Sequence, residues 1–227
     1  MTREREGGAT DPRGLSKNRI EALADGIFAV AMTLLVLDIK SPVNLWFDTN
    51  RALVEHLGTL EHSFAMYAIS FVVLGMFWLA HHQQFHYVRY VDRRLLWINL
   101  VFLLFTVLVP FSTDLIGDHG HLLLPVFVYG VNLLVLASLL LAHLHHLVGC
   151  PDLASPDLAD NKVLQMRRQM LMFATIPLVS MATSLFSPRA GMYLYLLLAI
   201  PAFVPGTIDR IARAAPTGKR PHDVDPS

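Results

Sequence analysis

Long apolar runs alternate with short polar connections along almost the whole chain. Each run lasts about 20 residues, which is the length that an α-helix needs to cross the hydrocarbon core of a bilayer. The pattern therefore predicts an all-α membrane protein with six membrane-spanning helices. Their expected bounds are 20–39, 63–82, 95–116, 122–142, 169–186 and 190–208.

The connections between these runs divide the chain into three parts. We expect a polar cytoplasmic segment over 1–18, a six-helix membrane domain over 19–209 and a polar, disordered tail over 210–227. The first connection, 40–62, is long enough for a short surface helix after Pro42. The stretches outside the membrane are each shorter than about 30 residues, so none of them is long enough for a soluble catalytic domain.

Lys and Arg residues fall mostly on one side of the predicted membrane. They are frequent before the first span and after the second, fourth and sixth spans, whereas the opposite side carries Lys40, Arg51 and Arg189. Positively charged residues near the ends of spans favour the cytoplasmic side. We therefore predict that both termini are cytoplasmic and that the chain is a multi-pass protein of a bacterial plasma membrane.

The composition supports a membrane protein and excludes several other classes. Hydrophobic residues make up 54% of the chain and charged residues 16%, against about 25% charged residues in soluble domains. The formal net charge is zero, so we expect no nucleic-acid partner. A single cysteine, Cys150, excludes an intramolecular disulfide and a cysteine-based zinc site. The first 18 residues are polar, and we expect no cleaved signal peptide.

The first span, from Arg19 to Lys40 (RIEALADGIFAVAMTLLVLDIK), carries two distinct helical faces. Large aliphatic residues recur at spacings of three and four, as on one face of a helix. A second face holds only small residues, which would let another helix approach closely. The aliphatic face comprises Leu23, Ile27, Val30, Leu34 and Leu37, and the small face comprises Ala22, Gly26, Ala29 and Thr33.

A few polar residues are predicted to lie at membrane depth, near the cytoplasmic ends of the first three spans. An unpaired carboxylate there costs about 2.5–3.5 kcal/mol, so Asp25 needs a partner. The resulting cluster is either a structural network that joins three helices or a proton or ion site. Both roles are compatible, because a pair of histidine and carboxylate titrates near physiological pH. The expected members are Arg19, Asp25, His81 or His82, and Asn99, with Trp78 and Trp97 beside them.

Two histidine-rich stretches, 81–86 and 143–146, raise the question of a metal site. Both lie at the predicted membrane boundary, and the fifth predicted span has no ionisable residue, so we expect no bound metal and no cofactor. The sequence has no GxSxG, P-loop or HExxH motif. Ser70, Ser180 and Ser184 have no His/Asp partner at matching depth, so we expect no enzymatic activity.

The first three spans resemble those of a known family. RIEALADGIFAVAMTLLVLDI is similar to the first helix of the transmembrane protein 175 family of potassium channels, and FWLAHHQQFHYVRYVDRRLLWINLVFLLFTVLVPF is similar to the stretch after its first loop. The resemblance runs from Arg19 to about Leu115 and continues weakly through the remaining spans. The family signature is Arg-x-x-x-Phe-Ser-Asp. Arg19 and Asp25 match it, whereas Leu23 and Ala24 replace the phenylalanine and the serine, so the hydrogen bonding of that serine must differ.

The resemblance implies a six-helix subunit that assembles as a homotetramer, with the first helices lining a central pore. It implies potassium-selective conduction, with K⁺ as the permeating ion, closed by rings of aliphatic side chains. By position, the narrowest ring corresponds to Val30, further layers to Leu34 and Leu37, and the hydroxyl implicated in selectivity to Thr33. The buried polar network of the family corresponds to Arg19, Asp25, Trp78 and His81, to which the residue pattern adds Asn99.

The residues themselves leave other functions open. Val30, Leu34 and Leu37 form stacked hydrophobic constrictions if four copies surround an axis, or they simply pack against neighbouring helices. A proton-coupled carrier would use Asp25 and His81, but such carriers usually show internal repeats, and we find none that is convincing. A membrane scaffold without transport is the third hypothesis.

Overall fold

The computed structural model describes residues 17–39 and 46–195 and is helical over most of these ranges. The first 16 residues, Lys40, Pro42, residues 196–208 of the sixth predicted span and the tail over 210–227 lie outside the described residues. A short 3-10 helix, Leu35–Asp38, continues the first helix directly. The α-helices are α1 Lys17–Leu34, α2 Asn50–Thr59, α3 Glu61–His86, α4 Arg93–His119, α5 Leu123–Gly149, α6 Asp160–Ser184 and α7 Pro188–Leu194.

Four helices in the described part of the chain are long and apolar enough to cross a membrane. Each overlaps one of the first four predicted spans. The fifth predicted span, 169–186, overlaps α6 over residues 169–184. This helix carries charged residues through its first third, ends at Ser184 and is not among the four. The fifth and sixth spans therefore stay predictions. The four helical segments are Lys17–Leu37, Ser63–His86, Arg93–His119 and Leu123–Gly149.

Polar side chains determine where two of the helices begin. Thr49 caps α2, because its hydroxyl accepts a hydrogen bond of 3.2 Å from the Ala52 N–H. Asp92 caps α4 in the same way, accepting from the Leu95 N–H at 2.7 Å. No residue of α2 is buried, so α2 is the surface helix that was expected in the first connection.

A continuous core lies between α1, α3, α4, α5 and α6. It consists of Leu, Phe, Met, Val and Ala side chains, including Phe28, Phe77, Phe102, Leu133 and Phe173. The rings of Phe77 and Phe173 meet edge to face at 5.1 Å, which joins α3 to α6. Lipid tails are as apolar as these side chains, so close packing contributes more to this core than the exclusion of water does.

Three connecting segments meet at one end of the helical bundle. Val88, after α3, forms an antiparallel bridge with Ala154, after α5. The start of α1 lies at the same end, because Lys17 Nζ donates a hydrogen bond of 3.2 Å to the carbonyl oxygen of His86. The predicted topology requires these segments to share one side of the membrane, and they do share one end of the bundle.

Candidate functional site

One face of α1 is buried within the subunit, and this face sets the rotation of the helix about its axis. Phe28 lies at its centre: the centroid of its ring is 5.8 Å from that of Phe102 in α4 and 6.3 Å from that of His81 in α3. The buried side chains recur at spacings of four, four, three and four residues. They are Ile20, Ala24, Phe28, Ala31 and Leu35.

The predicted pore residues lie on the opposite, exposed side of α1. Relative exposures are 56% for Val30, 37% for Leu34 and 70% for Leu37. The small residues of the second face are exposed too, and a Cβ atom added to Gly26 would meet no atom within 4 Å. Ile27, by contrast, is half-buried at the edge of the core. In a single subunit, this side of α1 is therefore open.

Thr33 is the hydroxyl-bearing residue on the open side of α1. Its Oγ1 donates a hydrogen bond of 2.8 Å to the carbonyl oxygen of Val30, one turn earlier in the same helix. A hydroxyl has one proton and two acceptor lone pairs. Because the proton is used within the helix, the lone pairs of Oγ1 face away from that bond and can accept from water or coordinate a cation.

The two positions that depart from the family signature have different surroundings. Ala24 is fully buried in the core, whereas Leu23 is exposed on the open side of α1. A methyl group at position 24 suits this apolar contact, while a serine hydroxyl there would need a hydrogen-bond partner. The structure therefore shows how α1 packs on the core without the serine.

Asp25 is joined to α3 near the middle of α1. Trp78 Nε1 donates a hydrogen bond of 2.8 Å to Asp25 Oδ1. The carboxyl group sits at the exposed edge of the contact between the two helices. A hydrogen bond to a charged acceptor is about twice as strong as one between neutral groups, so this pair fixes α1 against α3.

His81 is buried on the other side of the contact and joins α3 to α4. Its Nε2 lies 2.8 Å from Asn99 Oδ1. The imidazole is nearly parallel to the ring of Phe102, with centroids 5.2 Å apart, and it also stacks on Phe85 at 4.4 Å. The aromatic rings and the amide together hold this histidine in one orientation.

The structure thus divides the predicted polar network into two pairs, Asp25 with Trp78 and His81 with Asn99. Arg19 lies outside both pairs. It precedes Asp25 by six residues, which turns it about 240° around the helix axis, and its side chain is exposed. Trp97 is likewise exposed, on α4.

Sequence reasoning missed Glu21 and Lys17, which extend the contact between α1 and α3, and it named His82 only as an alternative to His81. Glu21 Oε1 lies 3.5 Å from His82 Nδ1, and the ring of His82 stacks on Trp78 with centroids 5.9 Å apart. Lys17 reaches the carbonyl group at the end of α3. The available signal was their spacing, since Glu21 precedes Asp25 by four residues, Lys17 precedes it by eight and His82 follows Trp78 by four. This spacing becomes informative only when the relative register of the two helices is known.

A separate polar contact joins the start of α4 to the end of α5. Asp92 Oδ2 lies 2.8 Å from His146 Nε2. Burial raises the pKa of the Asp92 carboxyl, but the hydrogen bonds from the Leu95 N–H and from His146, together with the charges of His146 and Arg94, outweigh it. The pKa of Asp92 is therefore lower than its usual value. This contact stabilises the end of the bundle where the connecting segments meet.

The two histidine-rich stretches approach each other at one pair, because the rings of His81 and His143 have centroids 6.4 Å apart, but their other histidines point elsewhere. In α3, His81 is buried while His82 and His86 are exposed, and in α5, His143 and His146 are buried while His145 is exposed. Within residues 17–39 and 46–195, no group of three or more potential metal ligands is arranged around a common point.

Comparison with known proteins points to one family. Residues 19–110 match the family model described as "Endosomal/lysosomal potassium channel TMEM175". A relative from Streptomyces collinus named as a potassium channel is 44% identical over 101 residues, which are 44% of this chain and 48% of that protein. The chain thus spans about half the length of this relative. A second, from Chryseobacterium and also named as a potassium channel, is 26% identical over 191 residues, covering 84% of this chain and 94% of that protein.

The fold agrees with this assignment over a larger part of the chain. The crystal structure of a protein described as a "lysosomal potassium-selective channel TMEM175 homolog" from Chamaesiphon minutus superposes with a TM-score of 0.69 at 27% identity. The superposition covers 86% of this chain and 97% of that one. The family match over residues 19–110, the relatives and the fold therefore all indicate similarity to the TMEM175 family, a family of ion channels rather than enzymes.

Proposed function

We propose that the chain is one subunit of a potassium-selective channel of a bacterial plasma membrane. Four copies surround a central pore, and α1 of each copy lines it. Val30, Leu34 and Leu37 form successive aliphatic constrictions along the pore, and Thr33 contributes to the selection of potassium. The names of the relatives support the choice of ion, and the open side of α1 supports the assignment of the pore helix.

The observation that carries the proposal is the incomplete burial of α1. Of the four apolar segments, Lys17–Leu37 has 28% of its most apolar window buried within the subunit, whereas the other three have between 44% and 50%. Because the other helices of the subunit bury so little of α1, its exposed side is available for contacts with other copies. Its small residues Ala22, Gly26 and Ala29 suit close approach of another helix.

The exposed aliphatic side chains suit a pore that closes without a rigid filter. A narrow ring of hydrophobic side chains excludes water, and a dry constriction stops ions because they cannot pass without hydration. Val30, Leu34 and Leu37 lie on adjacent turns of one side of α1 and its 3-10 extension. In four symmetric copies, each position would therefore give a ring of four identical groups.

Thr33 adds an oxygen ligand to this otherwise apolar wall. Its hydroxyl proton is held by the Val30 carbonyl group, so its oxygen is free to face a partly dehydrated cation. A hydroxyl oxygen that replaces a hydration water can discriminate between ions by its distance and field strength. We assign selectivity to this layer on these grounds.

Ion flux in reconstituted liposomes tests the proposed function. Vesicles that contain the purified protein are loaded with potassium, diluted into sodium medium, and followed with a voltage-sensitive dye; the opposite gradient is measured in parallel. We expect a potassium diffusion potential that needs no proton gradient. Val30→Trp should abolish it, because the larger side chains fill the narrowest ring.

Val107→Trp is the matched control. Val107 lies on α4 and is also exposed, so this variant adds the same bulk outside the proposed pore, and its flux should equal that of the wild type. Flux that requires a proton gradient would instead indicate a carrier that uses Asp25 and His81. The absence of flux with either ion would refute both transport functions and leave the scaffold.

A further inference from the structure

Three contacts join the first half of α1 to the end of α3 at regular intervals. From one contact to the next, the residue number rises by four in α1 and falls by four in α3. Antiparallel helices in a fixed register show this relationship. Every contact therefore reinforces the same axial position of α1. The pairs are Lys17 Nζ with the His86 carbonyl oxygen at 3.2 Å, Glu21 Oε1 with His82 Nδ1 at 3.5 Å, and Asp25 Oδ1 with Trp78 Nε1 at 2.8 Å.

The middle contact differs from its neighbours in chemistry. Lys17 binds a backbone carbonyl group and Asp25 binds an indole N–H, and neither of these partners changes its charge in the physiological range. Glu21 and His82 are both ionisable, and a histidine side chain changes its charge between about pH 5 and 8. The side chain of His82 is 46% exposed, and His82 is the last residue of the predicted span 63–82, at the expected membrane boundary.

We propose that Glu21 and His82 form a proton-sensitive contact that positions the N-terminal half of α1 against α3. This inference deepens the proposed function, since it depends on α1 as the pore helix for its effect on conduction. When His82 is protonated, the contact is an ion pair between two helices. When His82 is neutral, the attraction is lost and α1 is held by the outer two contacts.

The charged groups around His82 come from both helices and from one connection. On α1, Glu21 contacts His82 directly, while Lys17 acts on His86 and Asp25 acts on His81. On α3, His81 and His86 both interact electrostatically with His82. Asp157, in the connection after α5, acts on His86. Among these groups, Glu21 is the one in direct contact with His82. Protonation of His82 therefore changes its attraction to Glu21 most directly.

The position of this contact links it to the proposed constriction. Val30 follows Asp25 by five residues, a rise of about 7.5 Å along α1. A helix is stiff over this length, so a small shift at Glu21 is carried to the side chain of Val30. Glu21 and His82 are therefore positioning residues for the pore helix and do not themselves need to touch the ion.

A double-mutant cycle tests the contact without relying on conduction. The thermal stability of the purified protein in detergent is measured at pH 5.5 and pH 8 for the wild type, Glu21→Gln, His82→Gln and the double variant. At pH 5.5 the effect of His82→Gln should depend on Glu21, by about two- to fivefold in the unfolding equilibrium, as for a partly exposed ion pair. At pH 8 the two effects should be independent.

His82→Arg sharpens the test, because its charge does not change with pH. It should be coupled to Glu21 at both pH values. Two results of the cycle with His82→Gln would overturn the proton-sensitive contact. One is independent effects of Glu21→Gln and His82→Gln at pH 5.5, and the other is equal coupling of these two substitutions at both pH values.

Potassium flux at the same pH values tests the consequence for conduction. The wild-type flux should differ between pH 5.5 and pH 8, and His82→Gln should lose this difference. His86→Gln is the matched control, since it is the same substitution one turn further on and it leaves the backbone carbonyl group in place; it should keep the difference. A His82→Gln variant that keeps the pH dependence contradicts the positioning role. If the wild type carries no potassium, the proposed channel fails, while the cycle in detergent still decides whether the contact exists.

Discussion

The side chains of Trp78 and Asp25 join α3 to α1 through a hydrogen bond of 2.8 Å between Nε1 and Oδ1. The bond lies between two very different halves of α1. Before it, polar residues contact the end of α3, and beyond it, the exposed side of the helix is aliphatic apart from the hydroxyl of Thr33. Asp25 is therefore placed to hold α1 in position, apart from the aliphatic side chains of the proposed constriction.

Loss of this bond should harm assembly more than ion selectivity. Trp78→Phe removes the N–H donor but keeps an aromatic ring, and Asp25→Asn removes the charge of the acceptor. Each should weaken the contact by about 1 kcal/mol, near the value of a typical hydrogen bond, and should lower the fraction of assembled protein. Light scattering in detergent measures that fraction, which in the wild type should correspond to four chains of 25.4 kDa.

Trp97→Phe provides the control for this prediction, because Trp97 is exposed on α4 and makes no part of the α1–α3 contact. It should leave assembly unchanged. If Asp25→Asn keeps intact tetramers and alters only the opening of the channel, the structural role of Asp25 is wrong.

Thr33→Val should reduce the discrimination between potassium and sodium more than it reduces the total flux. The substitution keeps the shape of the side chain and removes the oxygen that faces the open side of α1. Reversal potentials under mixed potassium and sodium conditions measure the discrimination. Thr175→Val is a close control, since Thr175 makes the same kind of bond, 2.7 Å to the Leu171 carbonyl oxygen, on the exposed side of α6. An unchanged reversal potential in Thr33→Val would refute the selectivity role.

A larger side chain at Ala24 should destabilise the subunit. Ala24 is fully buried where α1 meets the core, and extra methyl groups in a packed core typically cost about 1–3 kcal/mol. Ala24→Val should therefore lower the thermal unfolding temperature in detergent. Ala22→Val, on the exposed side of the same helix, should change the unfolding temperature of the separate subunit far less. Equal effects of the two variants would mean that α1 is rotated differently from the structure.

The contact between Asp92 and His146 should make stability depend on pH in the acid range. The pKa of Asp92 is lower in the folded protein than in the unfolded chain, where it is about 3.9. Its contribution to stability is therefore fully present above the unfolded pKa and is lost as the pH falls through the folded pKa. Unfolding temperatures measured from pH 7 down to pH 3 should show this loss in the wild type.

Substitutions of Asp92 separate its two roles. Asp92→Asn keeps a cap for α4 and should flatten the acid part of the pH profile, whereas Asp92→Ala also removes the cap, at a cost of about 0.5–2 kcal/mol. Asp152→Asn, at an exposed position in the connection after α5, should leave the profile as it is. A profile of Asp92→Asn that matches the wild type would show that the charge of Asp92 does not contribute.

The membrane class and the approximate positions of the first four spans could be predicted from the sequence alone. These follow from the local length of apolar runs, and an α-helix satisfies its own backbone hydrogen bonds, so no knowledge of other segments is needed. The sequence also showed that the first span has faces of different character. The similarity to the TMEM175 family is concentrated in residues 19–110, which include the motif recognised in the sequence.

Which face of α1 enters the core could not be predicted without the packing of the other helices. Periodicity distinguishes the faces of a helix but not its neighbours, and the aliphatic stripe with Val30 looked as suitable for packing as the stripe with Phe28 does. The structure buries the Phe28 stripe and leaves Val30 open. For the same reason, the sequence placed Arg19 in the polar network, whereas the relative register of α1 and α3 brings Glu21 to His82. Register depends on how two helices pack along their whole lengths, and no local pattern of residues contains it.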